Sequence, residues 1–236
     1  WQDGVDLDAL LETETFSSSA KEDALGRTVE QHLADGSITM PEYHQSGKLN
    51  KVKVRLKNET GFTEFVTGIS YNPRGQREKI SYGNGTETVY SYEAETFRLI
   101  SLVTHRLSDS KELQNIHYTY DPVGNIVRIE DNSHARVFHN NQQVDPESRY
   151  LYDSLYRLIE AEGREHVGLN VPDYDTNTDS FKQSSFVHLE NANDANKLAN
   201  YTRKYSYDKA GNLYRVRHVA GDSFRSFTRD IVIDES

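Results

Sequence analysis

The sequence predicts an all-β fold, made of repeated antiparallel hairpins lying in one large twisted sheet, with a short helix near its start. Three observations predict it. One turn motif recurs along the chain. The chain holds 15 Tyr and 9 Phe although only 35% of its 236 residues are hydrophobic. At least one segment alternates strictly between charged and aliphatic residues.

In chain order, residues 1–20 form a leading segment, and the one expected helix lies over Val5 to Glu14 without a clear cap. The first residue is Trp1 and not Met, so the chain is expected to be a piece of a longer polypeptide. Residues 21–236 read as β. The motif is a Tyr-x-Tyr pair, an acidic or amide residue, two variable residues, Gly, a polar residue and an apolar strand. Its clearest copies are Tyr118-Thr119-Tyr120-Asp121-Pro122-Val123-Gly124 and Tyr205-Ser206-Tyr207-Asp208-Lys209-Ala210-Gly211. Close variants are Tyr71-Asn72-Pro73-Arg74-Gly75 and Tyr150-Leu151-Tyr152-Asp153-Ser154-Leu155-Tyr156. Weaker ones are Asp23-Ala24-Leu25-Gly26, Tyr43 to Gly47, and Tyr90-Ser91-Tyr92-Glu93. Apart from the last copy, they recur at intervals of about 21 to 32 residues, as stacked supersecondary units do.

Each unit reads as a hairpin. In Asp121-Pro122-Val123-Gly124, Asp, Pro and Gly take the positions that a type I turn prefers. Tyr118 and Tyr120 are two apart and share one strand face. Ile126 to Glu130 is the return strand. Lys51 to Lys57 alternates basic and aliphatic side chains, and Thr86 to Tyr92 forms a strand after the Gly83-Asn84-Gly85 turn. The long last interval contains a polar insertion at about 171–200. A lone hairpin is marginal in water, whereas repeated hairpins bury one continuous aromatic face.

Charge and composition narrow the function. A net charge of −10 disfavours nucleic acid and anionic membrane surfaces as partners. No apolar run is long enough for a spanning helix, and no signal peptide is visible at the start. With no cysteine, thiolate metal sites and cysteine nucleophiles are excluded.

At these residues the sequence resembles the YD-repeat family, which includes Rhs proteins and the shell-forming B and C components of bacterial Tc (insecticidal toxin complex) toxins. Tyr118 to Glu130, Asn140-Asn141-Gln142 and Tyr150 to His166 resemble the Tc components most, and Asp23 to Arg27 and Gly83 to Gly85 fit the same family. The resemblance implies a sheet spiralling into a hollow shell that holds a toxic C-terminal segment. It implies partners: the rest of the shell polypeptide or a partner shell subunit, the enclosed cargo and a translocation component. It also implies a secreted or cell-surface bacterial protein. Members often end the shell with an aspartyl autoprotease. Asp121-Pro122-Val123-Gly124 is only superficially like that element, so no catalytic residue is carried over.

Candidate sites carry little chemistry. The nine histidines (His32, His44, His105, His117, His134, His139, His166, His188 and His218) show no ligand spacing, so no metal and no cofactor are expected. Gly163-Arg164-Glu165-His166 offers an acid, a base and a cation, yet reads as a structural turn. Asp173 to Asp179 lacks the glycine and bidentate glutamate of a calcium loop and reads as solvated. Gly83-Asn84-Gly85 is a hairpin signal rather than a phosphate loop, because no helix follows it. The sequons at Asn58, Asn84 and Asn200 matter only in a eukaryotic secretory setting.

The expected function is therefore containment without catalysis, in which a negative lumen would help retain a basic cargo. The alternatives are a cell-surface module binding glycan or protein through Tyr rows, and a hydrolase using Glu165 and His166. Expressed alone, such a segment is expected to be poorly soluble.

Overall fold

The computed structural model describes residues 14–167, 197–221 and 226–232. Every regular element among them of three residues or more is a strand. The expected helix over Val5 to Glu14 lies outside the described residues except for Glu14, as does most of the expected insertion at 171–200. Strand structure begins at Ser19, and β15 starts at Leu198.

The strands are β1 (Ser19–Glu22), β2 (Thr28–His32), β3 (Ile38–Tyr43), β4 (Leu49–Arg55), β5 (Thr63–Tyr71), β6 (Arg77–Tyr82), β7 (Thr86–Tyr92), β8 (Leu99–Arg106) and β9 (Lys111–Tyr120). They continue with β10 (Ile126–Asp131), β11 (Val137–His139), β12 (Gln142–Val144), β13 (Glu147–Tyr152), β14 (Leu158–His166), β15 (Leu198–Tyr207), β16 (Leu213–Ala220) and β17 (Phe227–Asp230). Fifteen of them hydrogen-bond in chain order, and only β11 and β12 leave the sheet to form a ribbon of their own. All pairings whose register is described are antiparallel.

Two compact units are distinguishable, one reaching to Tyr90 plus Thr104–Lys111 and the other comprising Ser91–Val103 and the residues from Glu112 onward. In the first, the alternation read over Lys51 to Lys57 is present in β4. Its lysines face carboxylates on both neighbouring strands, Lys53 with Glu42 at 2.6 Å and Lys51 with Glu64 at 3.5 Å. Such exposed pairs contribute little stability, but they place the polar face. Behind it, Ile69 and Ile80 pair across β5 and β6, both buried. Thr88, the cross-strand partner of Ile80, is also buried and shares a 2.8 Å hydroxyl contact with Thr104.

In the second unit, one cross-strand row runs Tyr150, Ala161, Arg203, His218, Phe227 over β13 to β17. The β11–β12 ribbon adds a local second layer. It contacts β15, accepts a 2.8 Å hydrogen bond from Asn200 Nδ2 at Gln143 O, and encloses Val144 completely. Among the described residues only six apolar side chains are buried, Val144 under the ribbon being the most enclosed.

Candidate functional site

The repeated turns form the most organised feature of the molecule. In Asp121 to Asn125, the Asp121 N–H donates to the Asn125 carbonyl at 2.9 Å and the Gly124 N–H donates to the Asp121 carbonyl at 3.1 Å. The same two bonds close the turns at Asp23–Arg27, His44–Lys48, Asn72–Gln76, Asp153–Arg157 and Asp208–Asn212. The Glu93 turn is one residue longer. The fourth position needs a positive φ, which Gly124 supplies at 109°. Tyr156 reaches 62° in the equivalent place without being glycine, as Phe97 reaches 60° in the longer turn.

The first turn residue gathers donors around its side chain. Asp121 Oδ1 accepts from Gly124 and Asn125 N–H, and Oδ2 accepts from Asn125 Nδ2. Burial pushes the Asp121 carboxyl up, but these hydrogen bonds outweigh it and its pKa is lowered. Asp153 is lowered chiefly by the backbone N–H of Arg157. Side-chain hydrogen bonds do most of the same for Asp23, from Arg27, and for Asp208, from Asn212.

Immediately after the six five-residue turns the return strand carries a bulge. Tyr120 faces Ile126 and Thr119 faces Arg128, so Val127 is extra. The same skip occurs beside Glu22, Tyr43, Tyr71, Tyr152 and Tyr207. A bulge disrupts the ladder locally and increases twist. Its consequence here is that pairing to the following strand begins late. Ile126 precedes the β10–β13 register, which starts at Arg128, and Leu158 precedes the β14–β15 register, which starts at Glu160.

Tyrosine closes that gap. Tyr152 Oη donates to the Ile126 carbonyl at 3.0 Å and Tyr207 Oη to the Leu158 carbonyl at 2.9 Å. Tyr120 reaches Leu99, Tyr71 reaches Leu49 and Tyr43 reaches Thr28 at 2.7 to 2.8 Å. In each case the acceptor is the first residue of the previous hairpin's return strand. In the Tyr118–Tyr120, Tyr150–Tyr152 and Tyr205–Tyr207 pairs it is the second tyrosine that makes this bond.

A cation completes the clasp. The last turn residue lies over the next hairpin's tyrosine ring: Arg27 over Tyr43 at 4.6 Å, Lys48 over Tyr71 at 5.3 Å, Arg98 over Tyr120 at 5.6 Å and Arg157 over Tyr207 at 4.8 Å. Arg98 also donates to the carbonyl of Asp121 at 3.1 Å. A Cβ on Gly124 would stand 2.8 Å from Arg98 Nη2, so any other residue there would displace the guanidinium as well as strain φ.

The other candidate residues are placed differently from expectation. Gly163-Arg164-Glu165-His166 is not a turn; it lies inside β14, where alternating residues leave opposite faces. Glu165 and His166 therefore do not converge. Glu165 instead meets the buried His218, whose Nε2 is 3.1 Å away. His218 lies between the rings of Tyr201 and Phe227, with centroids 5.2 and 5.1 Å distant. Arg203 Nε approaches its Nδ1 at 3.4 Å. Gly163 leaves room for Tyr201, since a Cβ would be 3.1 Å from that ring. A polar depression of about 240 Å³ beside the ribbon is lined by Asp145, Glu147, Arg149, Glu162, Asn200 and Thr202 among others. Glu147 there is already paired with Arg128 and Arg149. Asp173 to Asp179 and His188 lie outside the described residues.

Comparison with known proteins accounts for this architecture. The chain is 39% identical over 232 residues to the toxin subunit YenC1 of Yersinia entomophaga and 37% identical over 243 residues to YenC2 of the same organism. It superposes on the crystal structure of TcdB2-TccC3-Cdc42 with a TM-score of 0.74 at 34% identity, over 99% of this chain and 10% of that one. The chain belongs to the YD-repeat family of Tc toxin shells. The Tc holotoxin pore of Photorhabdus luminescens matches likewise, with a TM-score of 0.71 at 35% identity over 91% of this chain and 9% of that one. No protein-family profile matches. The matches cover 96% and 100% of this chain but only 22% and 24% of the two Yersinia relatives. Within this Tc-type segment, the residues that sequence reasoning missed are the clasp cations Arg27, Lys48, Arg98 and Arg157. Their signal was present as a basic residue directly after the turn's positive-φ position.

Proposed function

We propose that this segment is a stretch of wall in a hollow Tc-type shell that encloses a toxic C-terminal effector, and that it acts by containment without catalysis. Residues 21–236 serve together as one length of that wall. The observation that carries the reading is the tyrosine clasp. Five hairpins are hydrogen-bonded by tyrosine to the hairpin before them, and four of these are also capped by a cation, at the place where the backbone ladder is interrupted. Among the described residues, the strands at either end, β1 and β17, each have one neighbour. Open edges invite further strands, which the remaining polypeptide or a partner shell subunit would supply. The partners are thus the rest of the shell, the enclosed effector and a translocation component, and the assembled protein is secreted.

A surface module binding glycans through Tyr rows is less well supported, because the hydroxyls of Tyr43, Tyr71, Tyr120, Tyr152 and Tyr207 are already engaged by backbone. Protease challenge of the intact, assembled polypeptide tests the proposal. The C-terminal effector should survive in the parent protein and be digested when Tyr120→Phe and Gly124→Val are combined. An effector cleaved equally fast in both would contradict a containing wall.

A further inference from the structure

The turn between β6 and β7 carries chemistry of a different kind. It consists of Gly83, Asn84 and Gly85, all exposed. Asn84 Oδ1 accepts two hydrogen bonds from Thr86, one from the backbone N–H at 3.1 Å and one from Oγ1 at 2.7 Å. Two donors aimed at one carbonyl oxygen withdraw electron density from its carbon. They also stabilise the negative charge that develops on the oxygen when a nucleophile adds, as an oxyanion hole does. A nucleophile is next in the chain, the backbone nitrogen of Gly85. No side chain shields it, and a Cβ on Gly85 would meet nothing within 4 Å. Its N–H donates to the Tyr82 carbonyl at 3.2 Å, a long bond that the turn can give up. The sequence contains a single Asn-Gly pair.

The geometry points to Asn84 as a self-modification site, which loses its side-chain amide to the Gly85 nitrogen with Thr86 as the positioning residue. The bond from Gly85 N to Asn84 Cγ forms, and the Gly85 amide proton passes to a solvent base. The Cγ–Nδ2 bond then breaks, and the nitrogen takes a proton from water and leaves as ammonia. This leaves a five-membered imide. Water opens the ring at one of its two carbonyls. Opening at the former side-chain carbonyl gives aspartate; opening at the main-chain carbonyl gives isoaspartate. The net change is amide plus water to carboxylate plus ammonium, the departing ammonia taking up the carboxyl proton, with no oxidant or cofactor.

The turn is fastened on both sides, so the product is not silent. Gly83 N–H donates to the Phe65 carbonyl at 3.1 Å, and the Gly85 carbonyl accepts from Leu107 N–H at 2.9 Å. Isoaspartate inserts an extra backbone carbon between those anchors and adds a negative charge, loosening this edge as the protein ages.

The experiment is to hold the intact folded polypeptide at neutral pH and physiological temperature, then map its peptides by mass over time. The Asn84 peptide should convert to resolved Asp and isoAsp forms ahead of the peptides holding Asn58, Asn132 and Asn212. Thr86→Val should slow the conversion several-fold, and Thr86→Ser should retain it. Asn84 remaining intact while the same peptide excised from the protein converts would overturn the proposal. So would Thr86→Val converting as fast as the parent.

Discussion

Tyr120 shows how much one hydroxyl does in this protein. Its Oη satisfies the Leu99 carbonyl, and Arg98 covers its ring. Tyr120→Phe keeps the ring and removes only the bond, so a loss of about 0.5–1.5 kcal/mol is expected. Urea denaturation of the intact polypeptide should show a lower midpoint, with Tyr118→Phe shifting it less. Gly124→Ala should cost more, about 1–3 kcal/mol, because it meets a positive φ and the Arg98 guanidinium together. The turn carboxylates set an acid limit. Asp23, Asp121, Asp153 and Asp208 all have lowered pKa values in the fold. Their stabilisation is present above the unfolded value of about 3.9 and is lost as pH falls through the lower folded values. Tyr120, Tyr152 and Tyr207 set the alkaline limit, since burial raises each phenol. Their contribution is complete below the unfolded value of about 10 and disappears as pH rises through the folded ones. Denaturant midpoints measured across pH should therefore fall at both ends; a midpoint still rising below the carboxylate range would contradict the turn geometry.

At the scale of the hairpin, the unit is a turn, a bulge and a clasp, and these were not equally legible. The turn could be read because Asp, Pro and Gly each have a local conformational preference. The bulge at Val127 or Ile159 has no such signature, since the extra residue is an ordinary strand former. The clasp escaped for another reason: Arg27 and Tyr43, or Arg157 and Tyr207, are separated by very different lengths of chain. The β11–β12 ribbon and the Glu165–His218 contact are likewise long-range outcomes, and Gly163 looked like a turn residue although it makes room for Tyr201. One hairpin offers a test of the clasp. Asn125 holds the position that Arg27 and Arg157 occupy elsewhere, and among the described residues no cation lies over Tyr152. Asn125→Arg should add one and raise stability by about 0.5–1 kcal/mol, while Arg98→Ala should lower it by a similar amount and speed amide exchange in residues 121–125. If neither changes the exchange of its neighbouring turn, the clasp is decorative.

For the whole molecule, thin apolar cover is the governing fact. Among the described residues only six apolar side chains are buried, and apolar turn residues such as Val123 and Leu155 stand more than half exposed. Produced without the rest of its polypeptide, the segment should aggregate, as sheets with open edges do; a monodisperse, heat-stable monomer in sedimentation velocity would count against that. The central claim is that clasped hairpins continue from one to the next as an enclosing wall. Cryo-electron microscopy of the intact polypeptide addresses it most directly. The account predicts residues 19–230 traced as consecutive strands in the wall of a closed hollow body, with both end strands paired to further strands and density for the effector inside. A segment folded as a separate compact domain, with its end strands open to solvent and no enclosed volume, would contradict it.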